Sequence, residues 1–392
     1  VGRVDTVWNA RTGQVLREAL DPLRVAQPPF ARLPAAAQRG ARWVRPELLA
    51  EVQFQTWTAD GLLRHASFQG LREDKPATGI VRERPARRPA AGAGAGAPLD
   101  LHGVRISSAE RQVLDRPRLT KGDVARCYAA LADWILPYVA GRPLSVIRCP
   151  EQLGEGCFYQ RHLAAGMPPS VRQVAGAGRD GKEPYLAIDD AEGLLALVQF
   201  GAIEFHPSGA RADRPDRPDR LVFDLDPAEE LPFAQVVAAA HELRQRLQRL
   251  GLSSFPRTTG GKGLHLIVPI ERRHGWAEAK AFAGSLARAM QADSPDRYTA
   301  SLAKAARKGR IFVDYLRNDR TATAVASYSL RGRAHAPVAM PLSWDAITPK
   351  LEPLDYTLLT VPDMVAHRPD PWAMLTRCRQ RLRPDVARRL AA

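Results

Sequence analysis

Residues 82–98, RERPARRPAAGAGAGAP, constrain this chain most. They consist of Pro, Ala, Gly and Arg with one Glu, and they lack any apolar periodicity. Such a composition cannot bury a core and reads as a flexible linker. It splits the 392 residues into a small N-terminal unit and a segment of nearly 300, so two separate cores are expected. Both parts are basic. Lys and Arg number 57 against 42 Asp and Glu, a net charge of +15 with pI about 10.2. The first hundred residues hold 15 basic and 10 acidic side chains, +5, which leaves +10 for the rest. Charge this far from zero argues for a polyanionic partner, nucleic acid before a membrane surface.

Hydrophobic residues at 45% and charged residues at 25% are ordinary for globular domains. Global disorder and collagen-like repeats are excluded. The longest apolar runs, such as Leu194 to Val198, fall far short of the ~20 residues that span a bilayer, so no membrane association is expected. The chain opens on Val1 in a mixed polar stretch without a signal-peptide pattern, which predicts a processed chain or a fragment. Cys127, Cys149, Cys157 and Cys378 form no C-x-x-C pair. They are expected to be reduced thiols of a cytoplasmic protein rather than a zinc site or disulfide staples.

The N-terminal unit reads as mostly β. Leu48 to Trp57 moves into period-2 alternation, Thr58-Ala59-Asp60-Gly61 is a hairpin turn, and Leu62 to Phe68 is the return strand. Thr12 to Leu23 predicts a short helix with Leu16 and Leu20 on one face. The larger segment alternates helix and strand, which indicates an α/β or α+β domain. Thr120 caps a helix through Ala140, and further helices are expected over about 232–250 and 276–292. Strands are expected at Leu221–Asp226, Leu264–Ile270 and Ile311–Tyr315.

Asp224-Leu225-Asp226 carries the clearest chemistry. Positions i and i+2 of a strand share a face, and two adjacent carboxylates repel unless a divalent cation neutralises them. The competing reading is an exposed strand end. Asp314, in an equally apolar strand, adds a third acid, and three such aspartates can hold two metal ions about 3.5–4 Å apart for phosphoryl transfer. Thr258 to His265 is a Gly-rich loop with Lys262. It is either a phosphate cradle or a tight turn, and it lacks Walker spacing. His206 can be structural or functional. The neighbours Phe158 and Tyr159 suit base stacking or core packing equally. Lys304, Arg307, Lys308, Arg310, Arg317, Arg331 and Arg333 flank the third aspartate, on a solvated face or along a nucleic-acid channel.

Taken in order, Phe158-Tyr159, Glu204-Phe205-His206-Pro207, Asp224-Leu225-Asp226-Pro227, Gly260-Gly261-Lys262-Gly263-Leu264-His265, Asp314-Tyr315-Leu316-Arg317-Asn318 and Tyr328-Ser329-Leu330-Arg331 resemble the polymerase domain of bacterial DNA ligase D. That domain is a primase-type polymerase of non-homologous end joining, and the resemblance runs from about residue 101 to the end. It implies a primase-polymerase fold with a central mixed β-sheet flanked by helices. It makes Asp224, Asp226 and Asp314 the catalytic metal ligands, for two Mn²⁺ or Mg²⁺ ions. It gives the nucleotide and its triphosphate to His206, Thr259, Lys262, Arg307 and Arg331, with His265 close by and Phe158 and Tyr159 on the base. Arg111 and Lys121 match positions that hold a DNA 5′-phosphate. The implied partners are DNA ends or gapped duplex, NTP or dNTP, and the end-binding protein Ku, at the bacterial nucleoid.

The sequence also departs from the family. Thr259 replaces Ser and keeps the hydroxyl. Ser208 stands where Trp follows His206-Pro207, which predicts looser packing. Gln160-Arg161-His162 replaces a Lys-containing run. The N-terminal unit, through Trp43 to Pro46, Ala50 to Val52 and Phe68 to Lys75, resembles the C-terminal OB-fold of an ATP-dependent DNA ligase, a small β-barrel. Val1 to Val4 resembles the end of the preceding ligase domain, whereas Asp5 to Trp8 departs from it. No lysine precedes Lys75, so no adenylation lysine is expected in this chain. The expected domains are therefore 1–81, a linker over 82–100, and 101–392. The expected activity is nucleotide addition in double-strand break repair. The alternatives are a non-catalytic DNA-end scaffold, or a fragment of a protein named as a ligase.

Overall fold

A computed structural model describes residues 4–5, 10–29, 41–53, 56–57, 63–64, 66–72 and 99–383, less 151, 154–155, 179–180 and 182. The chain divides into two compact units, Val1–Gly92 and Ala93–Ala392. Most of the expected linker, the turn at 58–61 and residues 73–75 lie outside the described residues.

In the first unit the helix spans Ala10–Leu20 and passes into a 3₁₀ turn at Asp21–Leu23. Pro22, without an N–H, cannot continue the α-helical ladder. The expected hairpin is present. Thr56↔Arg64 and Trp57↔Leu63 pair antiparallel, and the same hairpin continues in Gln53↔Ser67 and Val52↔Phe68 before a register shift between Val52 and Glu51, where Gln69 of the return strand is the extra residue. Val4–Asp5 adds a parallel strand, and Arg24–Val25 pairs with Trp43–Val44. Among the described residues these strands form one three-stranded sheet and two separate pairs rather than the closed barrel expected. The bulge shifts the register between the two longest strands.

In the second unit two short antiparallel strand pairs, Leu99–Leu101 with Val104–Ile106 and Gln112–Leu114 with Leu119–Thr120, precede α1 (Lys121–Ala130) and α2 (Ala132–Val139), where one continuous helix was expected. Thr120 caps α1 with a reciprocal box: its hydroxyl accepts from the Asp123 N–H, and Asp123 accepts from the Thr120 N–H at 2.8 Å. Two five-stranded sheets follow. The first contains β1 (Leu144–Arg148), β2 (Phe158–Gln160), β3 (Arg172–Val174), β4 (Tyr185–Ala187) and β5 (Ala202–Pro207), all antiparallel. Helix α3 (Ala191–Gln199), capped by Asp190, packs against it.

The second sheet contains β6 (Arg220–Pro227), β7 (Phe255–Thr258), β8 (Leu264–Pro269), β9 (Tyr298–Thr299) and β10 (Ile311–Asp314), in the order β7-β8-β6-β10-β9. Only the β9–β10 pair is parallel. Leu221, Phe223 and Leu225 of the central strand β6 are fully buried on one face. Helices α4 (Phe233–Arg249) and α5 (Trp276–Asp293) pack on that strand. Gly251, at φ 72°, ends the α4 connection as a left-handed stop. One continuous core joins both sheets.

Two sequence expectations need correction. Cys149 and Cys157 are joined in a disulfide rather than reduced, while Cys127 and Cys378 are free. The cause is the β1–β2 hairpin. Its last register pair is Arg148↔Phe158, which brings the next two residues to a Cα separation of 4.3 Å. Ser208 does not leave a loose site: it is 5% exposed and its hydroxyl accepts from the Ala210 N–H. The Trp276 ring packs so close to Gly209 that a Cβ there would lie 3.2 Å from it.

Candidate active site

The sheet register assembles the site. Asp224 on β6 lies directly opposite His265 of β8 on one side and Asp314 of β10 on the other. Arg257 of β7 lies opposite His265 in turn. Four strands therefore present Arg257, His265, Asp224 and Asp314 in one row, with Asp226 two residues further along the same face of β6.

Buried partners orient this row. Arg257, 2% exposed, donates through Nη2 to His265 Nδ1 at 2.9 Å and through Nη1 to Ser327 Oγ at 3.2 Å. Nδ1 therefore accepts, and the His265 proton sits on Nε2, 3.3 Å from Asp224 Oδ2. Burial lowers the His265 pKa to about 4, against the pull of Asp224. Asp224 is opposed by burial, but His265, Arg317 and Arg331 hold it at about 2. Arg317 Nε lies 3.1 Å from Asp314 Oδ2, and its Nη2 lies 3.6 Å from Asp224 Oδ2. Asn318 fixes this arginine: its side chain accepts from Val222 N–H and donates to Val222 O, both at 2.8 Å, clamping the turn after β10 onto β6.

Asp226 and Asp314 behave differently. Burial and the charge of Asp224 raise Asp226, although Arg307 holds one of its oxygens. Burial raises Asp314 to about 6, with Asp224 adding to the rise and Arg317 opposing it. All three carboxylates are hard oxygen donors on one sheet face with incompletely compensated charge, which fits divalent cations. Among the described residues no three carboxylate, imidazole or thiol side chains converge on one point. Arg307 and Arg317 provide the counter-charge instead.

A cavity of about 470 Å³ opens over Asp224 and Asp226, and Asp314, Arg307 and Phe158 are not among its lining residues. Asp224, Asp226 and His265 form one wall, and Tyr159, His206, Thr259, Lys262 and Arg331 line it elsewhere. His206 is held by Glu204, whose Oε2 accepts from its Nε2 at 2.8 Å. Glu204 also accepts the Gly332 N–H at 2.8 Å, and its Oε2 lies 2.9 Å from Arg331 Nε. Burial would raise Glu204, but His206 and Arg331 hold it at about 2; burial in turn lowers His206. Tyr159 is 61% exposed and its ring stands edge-on to His206 at 5.8 Å. Phe158, 40% exposed, lies beneath the Arg148 guanidinium at 5.4 Å. Lys262 projects outward, with Glu229 4.0 Å away.

The glycine loop is a β7–β8 hairpin turn, closed by Thr259 N–H and Oγ1, both 3.2 Å from Gly263 O. Its glycines admit neighbours. A Cβ on Gly260 (φ 67°) would lie 2.5 Å from Arg331 Cγ, and one on Gly263 would lie 2.7 Å from Leu225 O.

Arg111 and Lys121 do not line the cavity. They are neighbours, with the Lys121 N–H bonded to Arg111 O at 2.8 Å. Lys121 is 7% exposed and spends its ammonium on Ser107 O and Gln199 Oε1. Burial and Arg111 lower it to about 8. Arg111 donates to Pro150 O at 2.7 Å. Sequence reasoning missed Glu204, Arg257 and the clamp role of Asn318. Glu204 and Asn318 stood inside quoted motifs, but only as flanking letters.

The cavity thus sets sheet-borne carboxylates beside basic and exposed aromatic side chains. Residues 120–372 match the model of the LigD primase-polymerase domain, and residues 1–75 match that of the ATP-dependent DNA ligase C-terminal region. The Multifunctional non-homologous end joining protein LigD of Pseudomonas aeruginosa is 38% identical over 400 residues, covering 99% of this chain and 47% of that protein. The Multifunctional non-homologous end joining DNA repair protein LigD of Mycobacterium tuberculosis is 34% identical over 262 residues, covering 64% of this chain and 34% of that protein. The polymerase domain of Mycobacterium tuberculosis Ligase D, solved in complex with DNA, superposes with a TM-score of 0.66 at 32% identity, over 70% of this chain and 98% of that one. The chain belongs to the LigD primase-polymerase family. It spans about half the length of the Pseudomonas relative and a third of the mycobacterial one. Among the described residues no helix is long and apolar enough to cross a membrane.

Proposed function

We propose that this chain adds nucleotides to DNA ends or gaps during non-homologous end joining, and that residues 101–392 form the polymerase domain behind a ligase OB-fold (1–81) and a linker (82–100). The observation that carries this reading is one cavity with Asp224 and Asp226 on one wall and His206, Lys262, Arg331 and Tyr159 around it. Asp224, Asp226 and Asp314 would hold two Mn²⁺ or Mg²⁺ ions. Bound there, such ions supply Lewis acidity toward the primer 3′-hydroxyl and the departing pyrophosphate.

The chain's own side chains do the rest. Arg257 and His265 fix the direction of Asp224. His206 and Arg331, both anchored on Glu204, together with Thr259, Lys262 and Arg307, would offset the charge of an NTP or dNTP triphosphate. Tyr159 and Phe158 would offer ring faces to the base. Arg111 and Lys121 would receive a DNA 5′-phosphate. Ku as recruiting partner and a place at the cytoplasmic nucleoid belong to this reading. A purely structural end-binding scaffold has no use for three acids kept together against their mutual repulsion.

The test is nucleotide addition to a gapped duplex bearing a 5′-phosphate, with Mn²⁺ and either ribo- or deoxynucleotides. Metal-dependent extension that disappears in Asp226→Ala supports the reading. Tight DNA binding without extension by the unaltered chain would leave the scaffold in its place.

A further inference from the structure

A second cavity, of about 580 Å³, lies at the opposite end of β6 from the aspartates. Six residue steps along the strand separate Arg220 from Asp226, a distance of about 20 Å. Seven arginines line this cavity against two acids, Asp219 and Glu271. Asp219 is shared: Arg142, Arg211 and Arg220 approach it at 2.5, 3.2 and 3.4 Å. Glu271 is shared by Arg273 at 2.5 Å and Arg381 at 3.0 Å. Arg272 is held by Asp213. Arg142 is 2% exposed, and its buried Nε–H has no partner among the described residues. Arg214 and Arg379 stand exposed at the cavity, with no side-chain partner among the described residues.

Two shared carboxylates do not balance this many guanidiniums, and an orphaned buried N–H beside an open cavity marks a missing acceptor. Guanidiniums present planar donor forks that match phosphate oxygens. Aromatic rings are absent from the lining, so bases have nothing to stack on. We propose that this arginine cavity binds phosphodiester groups of nucleic acid, as a backbone contact separate from the nucleotide cavity. It takes up the phosphates without reading sequence. It rests on the reading that the chain works on DNA, and it adds a place where the duplex is held away from the reacting end.

The same phosphate chemistry is available in a free polyphosphate, so the test has two arms. In the first, duplex DNA affinity is measured against salt for the unaltered chain, for Arg214→Glu/Arg379→Glu, and for Arg249→Glu/Lys350→Glu, an equal charge change outside the cavity. Each lost phosphate contact flattens the log–log salt slope by about 0.9. The expected result is a loss of about ten-fold or more in affinity and a slope flatter by about 1.8 in the cavity variant, well beyond the control pair. Equal effects in the two variants would overturn the proposal, as would no effect in either. In the second arm, thermal stability is measured with tripolyphosphate. A stabilisation that the cavity variant loses, with DNA affinity unchanged, would assign the cavity to a free polyanion and overturn the nucleic-acid site. Nucleotide addition by the unaltered chain is scored separately, so the polymerase reading and this site fail independently.

Discussion

Where β6 begins, one carboxylate, Asp219, serves three arginines; where it ends, Asp224, Asp226 and Asp314 share Arg307 and Arg317. Asp219 is driven well below the usual carboxylate range: burial opposes this, but Arg142 and Arg220 prevail. Asp226 and Asp314 are pushed upward by burial and by their acidic neighbours. The same strand thus carries a cluster of arginines around one carboxylate at one end, and at the other adjacent carboxylates set among basic side chains. A fold that needed only internal stability would pair such groups one to one. The arginine cluster at the first end fits a phosphate, and the adjacent carboxylates at the second fit a cation even though basic side chains surround them.

Breaking the negative end gives the largest expected effect. Asp226→Ala lowers nucleotide addition by about 10³-fold, read as single-turnover extension of a gapped duplex, with the chain still folded. Asp314→Asn, which removes one of two directly opposed charges, loses addition similarly while thermal stability holds or rises. At the positive end Arg142→Ala strands the carboxylate of Asp219 and costs about 3 kcal/mol, measured by urea denaturation. An unchanged midpoint would show that Arg211 and Arg220 suffice for Asp219.

Glu204 sharpens the comparison, because here one acid meets its basic partners in balance. Glu204→Gln removes the charge that orients His206 and Arg331, worth about 1.5–3 kcal/mol. Its expected signature is a raised KM for nucleotide with a smaller change in kcat. Glu204 also sets an acid limit. Its folded pKa of about 2 lies below the unfolded carboxylate value, so its contribution, on the order of 3 kcal/mol, is complete above about pH 4.5 and is lost as pH falls toward 2. The Gln variant should show a shallower loss of stability over that window. The smallest effect belongs to Thr120→Ala, which opens the α1 capping box for about 1 kcal/mol.

The sequence made the acids legible because they interrupt short apolar strands at a two-residue spacing. The 48–68 hairpin, the Thr120 cap and the Gly251 stop were legible for the same reason: each is written in local chemistry. What stayed hidden depends on register between distant segments. Arg257 and His265 lie eight residues apart and meet across β7 and β8. Asn318 clamps Val222 from 96 positions away. Glu204 reaches Arg331 only because separate parts of the chain converge at the cavity. The Cys149–Cys157 bond needed the hairpin register, and compartment reasoning pointed the other way. The contacts of Lys121, whose ammonium donates to Ser107 O and Gln199 Oε1, were hidden for the same reason.

The most direct test of a two-ended β6 is the salt dependence of DNA binding by Asp226→Ala. The account predicts that the variant, unable to add nucleotides, keeps the affinity and salt slope of the unaltered chain, because the arginine end holds the duplex. A variant that loses affinity and slope together with addition would contradict it, and would place DNA binding and catalysis at a single end of the strand.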